Sequence, residues 1–212
     1  RRSSDLDDET PVVEVNVGNI LNAEPRGRII VNKGSENHDP ITGAVFEVRA
    51  NDSITNKEKT VIYYNKGDLV GTITSTDGVA VLDNIPLGKY IIKEKKAPYG
   101  YLRNTEEYPV SIDYKDENTA MIEVEIPAIL DEEPRGELTI IKRDSETNDV
   151  PQGDAKFLNA VYRVYANEDI YNVAKSKKFF SKGDLVATSY MKEDGTNVVK
   201  DLTMRKILCC RI

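Results

Sequence analysis

Residues 119–142 read TAMIEVEIPAILDEEPRGELTIIK, and residues 10–33 read TPVVEVNVGNILNAEPRGRIIVNK. The two align without a gap at an offset of 109 positions. Working outward, Ala44–Val70 opens AVFEVRAND and closes NKGDLV, while Ala160–Val186 opens AVYRVYANE and closes SKGDLV, at an offset of 116. The second copy therefore carries seven extra residues in the intervening loop. Asp77-Gly78 and Asp194-Gly195 mark the same turn in both copies. A unit of about a hundred residues repeats, which is an ordinary domain size.

Within the unit the pattern is β throughout. Ile29, Val31 and Lys33 alternate with Ile30 and Asn32, and similar short runs follow, separated by Asn65-Lys66-Gly67-Asp68, Asp77-Gly78, Pro86-Leu87-Gly88 and Pro98-Tyr99-Gly100. Short strands at this spacing, with no helical period between them, predict an all-β antiparallel sandwich. Residues 51–59 are the one segment that reads as a short helix or a long loop. The repeat divides the chain into residues 1–20, the last strand of a preceding module; 27–127, a complete module; 128–135, a joint; and 136–212, a second, truncated module. Glu-Pro-Arg-Gly, at Glu24–Gly27 and Glu133–Gly136, forms the joint. Proline fixes φ and removes a donor while glycine breaks the strand, so one sandwich ends there and the next begins. So short a joint is semi-rigid, and an array of such modules is expected to be a rod.

Composition excludes several functions. The formal net charge is −7 and the basic residues are scattered among acidic ones, which argues against a phosphate-binding face. No apolar run is long enough to span a membrane. Cys209 and Cys210 are adjacent, so no disulfide framework is expected. His38 is the single histidine, too little for a zinc site or a His-based triad. Asp144, Glu146 and Asn148 have calcium-loop spacing, but Asp149 stands where glycine belongs and the closing glutamate is missing. Lys66-Gly67-Asp68 and Lys182-Gly183-Asp184 read as turn chemistry rather than as integrin-type recognition. The expectation is a protein that is not an enzyme and uses neither cofactor nor metal.

Tyr90–Tyr101 reads YIIKEKKAPYGY. With an opening strand that ends IIVNK and a second strand GAVFEV, it resembles the Cna B-type, or SpaA-like prealbumin-fold, domain of Gram-positive adhesins and pilins. The resemblance implies prealbumin-like (Ig-like) β-sandwich modules in tandem, serving as a stalk or spacer of a cell-wall-anchored surface protein outside the cell. It also implies an intramolecular isopeptide bond between a first-strand lysine and a last-strand Asn or Asp, assisted by a buried glutamate.

On this sequence the candidate lysines are Lys33 and Lys142, and the candidate assisting acid is Glu94. Lys33 shares a face with Ile29 and Val31, and Glu94 with Tyr90 and Ile92, so both point inward. Loss of water around a buried lysine favours the neutral, nucleophilic amine, and a buried carboxyl tends to keep its proton. The acceptor position falls on Glu125, matched by Asn16 in the preceding module. Strand parity turns both outward, because Val13, Val15 and Val17, like Ile122, Val124 and Ile126, form the inward set. The complete module is therefore expected to hold Lys33 and Glu94 as a buried pair without condensation; a condensed Lys33 is the alternative.

The expected partners are neighbouring modules of the same chain, with no nucleic acid. A module that itself grips host matrix protein or glycan is the competing reading. It rests on Tyr63, Tyr64, Phe179 and Phe180, since adjacent aromatics on a strand cannot both face the core. The tail adds one expectation. Asp201-Leu202-Thr203 begins the stretch that the first copy continues as Ile85–Glu94, and then reads MRKILCCRI. One allowed codon choice for that tail, shifted by a base, encodes Gly-Lys-Tyr-Tyr-Val-Val-Glu in the register of Gly88, Lys89, Tyr90 and Glu94. A frameshift after residue 203 is expected, leaving the second module poorly ordered.

Overall fold

Strict alternation lays down the first strand. In the computed structural model, which describes residues 23–149, 152, 156–158, 160–203 and 207–211, β1 (Arg26–Ser35) buries Gly27, Ile29, Val31 and Lys33 on one face. There follow β2 (Val45–Ala50), β3 (Ile54–Thr55), β4 (Ile62–Tyr64), β5 (Leu69–Thr74), β6 (Val79–Ile85), β7 (Gly88–Lys96), β8 (Glu107–Ile112) and β9 (Met121–Asp131). One sheet has the order β6-β1-β9 and the other β5-β2-β7-β8, with β3 and β4 as a small hairpin. Residues 51–59 are thus strand and turn rather than helix.

The inner faces of the two sheets meet in a core of Ile29, Val31, Phe46, Val48, Tyr90, Ile92, Ile112, Ile126 and Ile129. Burying each such side chain contributes about 1.5–3 kcal/mol. Tyr90 keeps its hydroxyl satisfied there by donating to the Pro86 carbonyl. Burial raises its pKa above the usual phenol value.

The sandwich is antiparallel except at one place. β1 and β9, the first and last strands, run parallel, from Arg26 opposite Met121 to Ser35 opposite Asp131. β9 also runs on past Pro127 to Asp131, so residues that the sequence reading gave to the joint belong to the strand. Val31 pairs with Ile126 but Lys33 pairs with Ile129, which leaves one extra residue in β9 at Pro127-Ala128. Such a bulge reverses which residues face the core: Ile122, Val124 and Ile126 do so before it, Ile129 and Asp131 after it.

The pairings recur downstream in β10 (Arg135–Ile141), β11 (Val161–Ala166), β12 (Ile170–Tyr171), β13 (Lys178–Phe180), β14 (Leu185–Tyr190), β15 (Thr196–Thr203) and β16 (Ile207–Arg211). β10 pairs with β15 as β1 does with β6, and β11 pairs with β14 as β2 does with β5. The backbone of β16 lies against β11 as β7 lies against β2. The expected preceding strand at residues 1–20, with Asn16, lies outside the described residues, as do residues 204–206 and 212 of the proposed out-of-frame tail.

Candidate cross-linking site

β1, β7 and β9 bring three ionisable side chains together in the dry interior of the first sandwich. Lys33 is 2% exposed, Glu94 0% and Asp131 1%. The Lys33 Nζ contacts Asp131 Oδ1, lies 3.7 Å from Glu94 Oε1, and donates to the Ile129 carbonyl at 3.3 Å. Glu94 Oε2 accepts the Asn104 N–H at 2.7 Å, which fixes the carboxyl against the loop after β7. Among the described residues no backbone N–H or hydroxyl meets either Asp131 oxygen or Glu94 Oε1. Lys33 and the two carboxyls are left to satisfy one another.

Two carboxylates and one ammonium would bury a net negative charge, which a low-dielectric interior opposes. Burial accordingly holds the Glu94 carboxyl above the usual carboxylate range, outweighing the downward pull of the Lys33 ammonium and the Asn104 N–H, with Asp131 pushing further up. The trio thus sets one amine between two buried carboxyls, of which Glu94 is the one burial shifts toward its protonated form.

Lys33 and Glu94 sit side by side in the interior. Glu125 does not join them: it is exposed on the outer face and accepts from Asn32 Nδ2 at 2.5 Å. The carboxyl that meets the Lys33 amine is instead that of Asp131, a residue the sequence did not single out. Parity carried past Pro127 without a bulge turns residue 131 outward, and a joint starting at 128 removes it from the strand. A signal for it was present. At the offset of 109, Asn22 aligns with Asp131, an Asn/Asp exchange just before the joint in both copies.

Lys142, the second candidate, is half-buried with its Nζ 5.0 Å over the Phe157 ring. Arg211 stands opposite Tyr162 where Glu94 stands opposite Phe46, so β16 carries no carboxyl at that register. The aromatic pairs are largely engaged. Tyr63 and Tyr64 pack against the core, and the Tyr63 hydroxyl donates to Glu24 at 3.0 Å with Arg26 5.5 Å over its ring. Phe179 and Phe180 are half-buried, with Lys177 5.3 Å over Phe179.

Two facing sheets whose first and last strands run parallel define a prealbumin-like sandwich. Residues 27–126 match the family described as SpaA, prealbumin-like fold domain, and this module belongs to that fold family. Among solved structures, the chain is similar to the Bacillus anthracis TIE protein, with 25% identity and a TM-score of 0.54 over 89% of this chain and 28% of that one. It is also similar to a streptococcal ancillary pilin, with 18% identity and a TM-score of 0.39 over 88% of this chain and 53% of that one. A third is the shaft pilin SpaA of Lactobacillus rhamnosus GG, with 13% identity and a TM-score of 0.37 over 87% and 86%. The chain thus spans about a quarter of the first of these proteins and about half of the second. No curated protein matches it. Among the described residues no helix is long and apolar enough to cross a membrane.

Proposed function

We propose that residues 26–131 form a covalently closed spacer module of a Gram-positive surface protein, cross-linked by an amide between Lys33 and Asp131. The observation that carries this reading is the contact of the Lys33 amine with Asp131 in a fully buried site where Glu94 stands 3.7 Å away. It replaces the expectation of an uncondensed Lys33–Glu94 pair, because the acceptor missing from that expectation is Asp131.

The reacting forms are the neutral amine and the neutral Asp131 acid. The Nζ lone pair attacks Cγ of Asp131, a C–N bond forms, and the C–O bond to one carboxyl oxygen breaks. Glu94 donates its proton to the departing oxygen and recovers one from Nζ, so the sum is one amide and one water. The geometry supplies effective concentration and a dry site without external energy. There is one event per module and no turnover.

The topology gives the bond a mechanical purpose. Tension entering at Arg26 and leaving after Asp131 runs along two adjacent parallel strands. With Lys33 joined to Asp131, the force passes from β1 through the amide to the end of β9 and bypasses everything between. A stalk that holds a binding tip away from a cell wall needs this property, and its partners are the neighbouring modules of the same chain. Intact mass spectrometry of the whole chain tests the reading. It predicts a mass one water below the sequence value, restored in full by Asp131→Ala and by Glu94→Gln. Asp131→Asn is expected to lose ammonia instead. An unmodified chain at full mass would refute the cross-link.

A further inference from the structure

The loop after β12 in the second module touches the first. Asn172 Nδ2 donates to Asp39 Oδ2 at 2.8 Å, and Ser176 Oγ donates to the same oxygen at 2.7 Å. The Val173 N–H donates to Glu133 Oε1 at 2.6 Å, and its methyl groups lie against Gly100. Hydrogen bonds to ionised carboxylates are roughly twice as strong as neutral ones. Asn172, Val173 and Ser176 sit on a loop of one module and Asp39 and Gly100 on loops of the other, so nothing in either sandwich requires them to meet.

The repeat explains what the loop is for. Its counterpart in the first module is Asn56–Val61, where Asn56 Oδ1 accepts from the Thr60 and Val61 N–H groups and Asn56 Nδ2 donates to Thr60 Oγ1 at 2.8 Å. Asn172 makes the matching internal bonds to Lys177 N and Ser176 Oγ. The joint glutamate recurs as well: Glu24 accepts the Lys57 N–H at 3.0 Å as Glu133 accepts that of Val173. The difference lies in what covers the asparagine. Asn172 is 0% exposed under Asp39, whereas Asn56 is half-exposed.

We infer that the Asn172–Lys177 loop is a docking surface for an acidic loop of the module before it, and that it locks the joint at one angle. Glu133 tethers the joint to the following module, and Asp39 closes the latch from the preceding one. Arg135 Nη2 braces the same acidic loop by donating to Glu36 at 2.6 Å. The Asn56–Val61 loop is built to receive an equivalent acidic loop from another module of this kind. A short joint limits the reach of the two modules but leaves relative motion as the default, so a single angle needs contacts that hold it.

The inference is independent of the Lys33 chemistry and is tested on the whole chain by 15N relaxation. The unaltered protein is expected to show one shared rotational correlation time for β2, β5, β11 and β14. Asp39→Ala, which leaves the second module untouched, is expected to lose it, so that the two sandwiches tumble separately. Asn172→Ala is expected to do the same, with amide exchange in β11 and β14 checking that the second sandwich remains folded. Asn56→Ala, which removes the same internal bonds from a loop that among the described residues makes no hydrogen bond to the second module, is expected to leave the shared time intact. Separate tumbling in the unaltered chain, or a shared time that survives Asp39→Ala, would overturn the latch.

Discussion

Asp131 reaches Lys33 only because β9 carries one more residue than β1 between the Val31–Ile126 and Lys33–Ile129 pairs. Without that bulge, the parity of Ile122, Val124 and Ile126 would point residue 131 away from the core. The slip sets the direction of the Asp131 carboxyl, and the parallel pairing of first and last strands sets its distance from Lys33.

The first consequence is energetic. An amide between Lys33 and Asp131 closes a loop of about a hundred residues, worth about 4–5 kcal/mol in chain entropy. Against an uncross-linked stability of roughly 5–15 kcal/mol, that is a large share. Asp131→Ala is expected to lose it and to leave the buried Lys33 amine with Glu94 as its one remaining carboxyl neighbour. Guanidinium unfolding should show a lower midpoint for the module, while Lys142→Ala leaves the mass deficit at a single water. A midpoint unchanged by Asp131→Ala would mean that no loop had been closed.

Glu94 gives the module a pH signature. Its folded pKa is raised, chiefly by burial, and burial remains once the amide has formed. Between the ordinary glutamate value and the raised one, the folded protein holds a proton that the unfolded chain has released. Stability is therefore greatest below that window and falls as pH climbs through it. Glu94→Gln should flatten this decline in a series of melts from acid to neutral pH. A decline of equal slope in the variant would assign it to another group.

Gly78 guards the lysine from the other side. Its φ is +81°, and a Cβ there would stand 2.9 Å from Pro40 and 3.1 Å from the Lys33 carbonyl. Its own carbonyl accepts the Lys33 N–H at 2.7 Å. Gly78→Ala is expected to cost about 1–3 kcal/mol in backbone strain and to slow the appearance of the mass deficit. Gly67→Ala, at φ +91° with nothing within 4 Å, carries strain without the clash and should cost less. Thermal melts of the two variants, ranked the other way, would contradict this.

These residues also mark how far the sequence could be read. Period-2 patterning placed Lys33 and Glu94 in the interior because both lie on regular strands with apolar neighbours. The strand boundaries and the repeat were legible for the same reason. Asp131 was not, since a bulge is a local departure from the period on which the reading rests, and Pro127 resembles a strand end. The parallel β1–β9 pair was equally hidden, because alternation reports a strand's faces and not its neighbour. The contact of Asn172 with Asp39 joins loops whose sequences carry only turn signals.

The last expectation concerns force. When the chain is held at both ends and pulled, an uncross-linked first sandwich should unravel between Lys33 and Asp131. About a hundred residues at about 3.3–3.6 Å each would release roughly 330 Å of contour length. With the amide in place, tension passes from Arg26 through Lys33 to Asp131 and never enters β2 to β8. Single-molecule extension of the unaltered chain is therefore expected to lack that step, and Asp131→Ala to restore it. The comparison separates a covalent clamp from a merely strong fold. A noncovalent Lys33–Asp131 pair would raise the force at which the step occurs but leave its length unchanged. A step of full length in the unaltered chain would reduce the site to a buried ion pair.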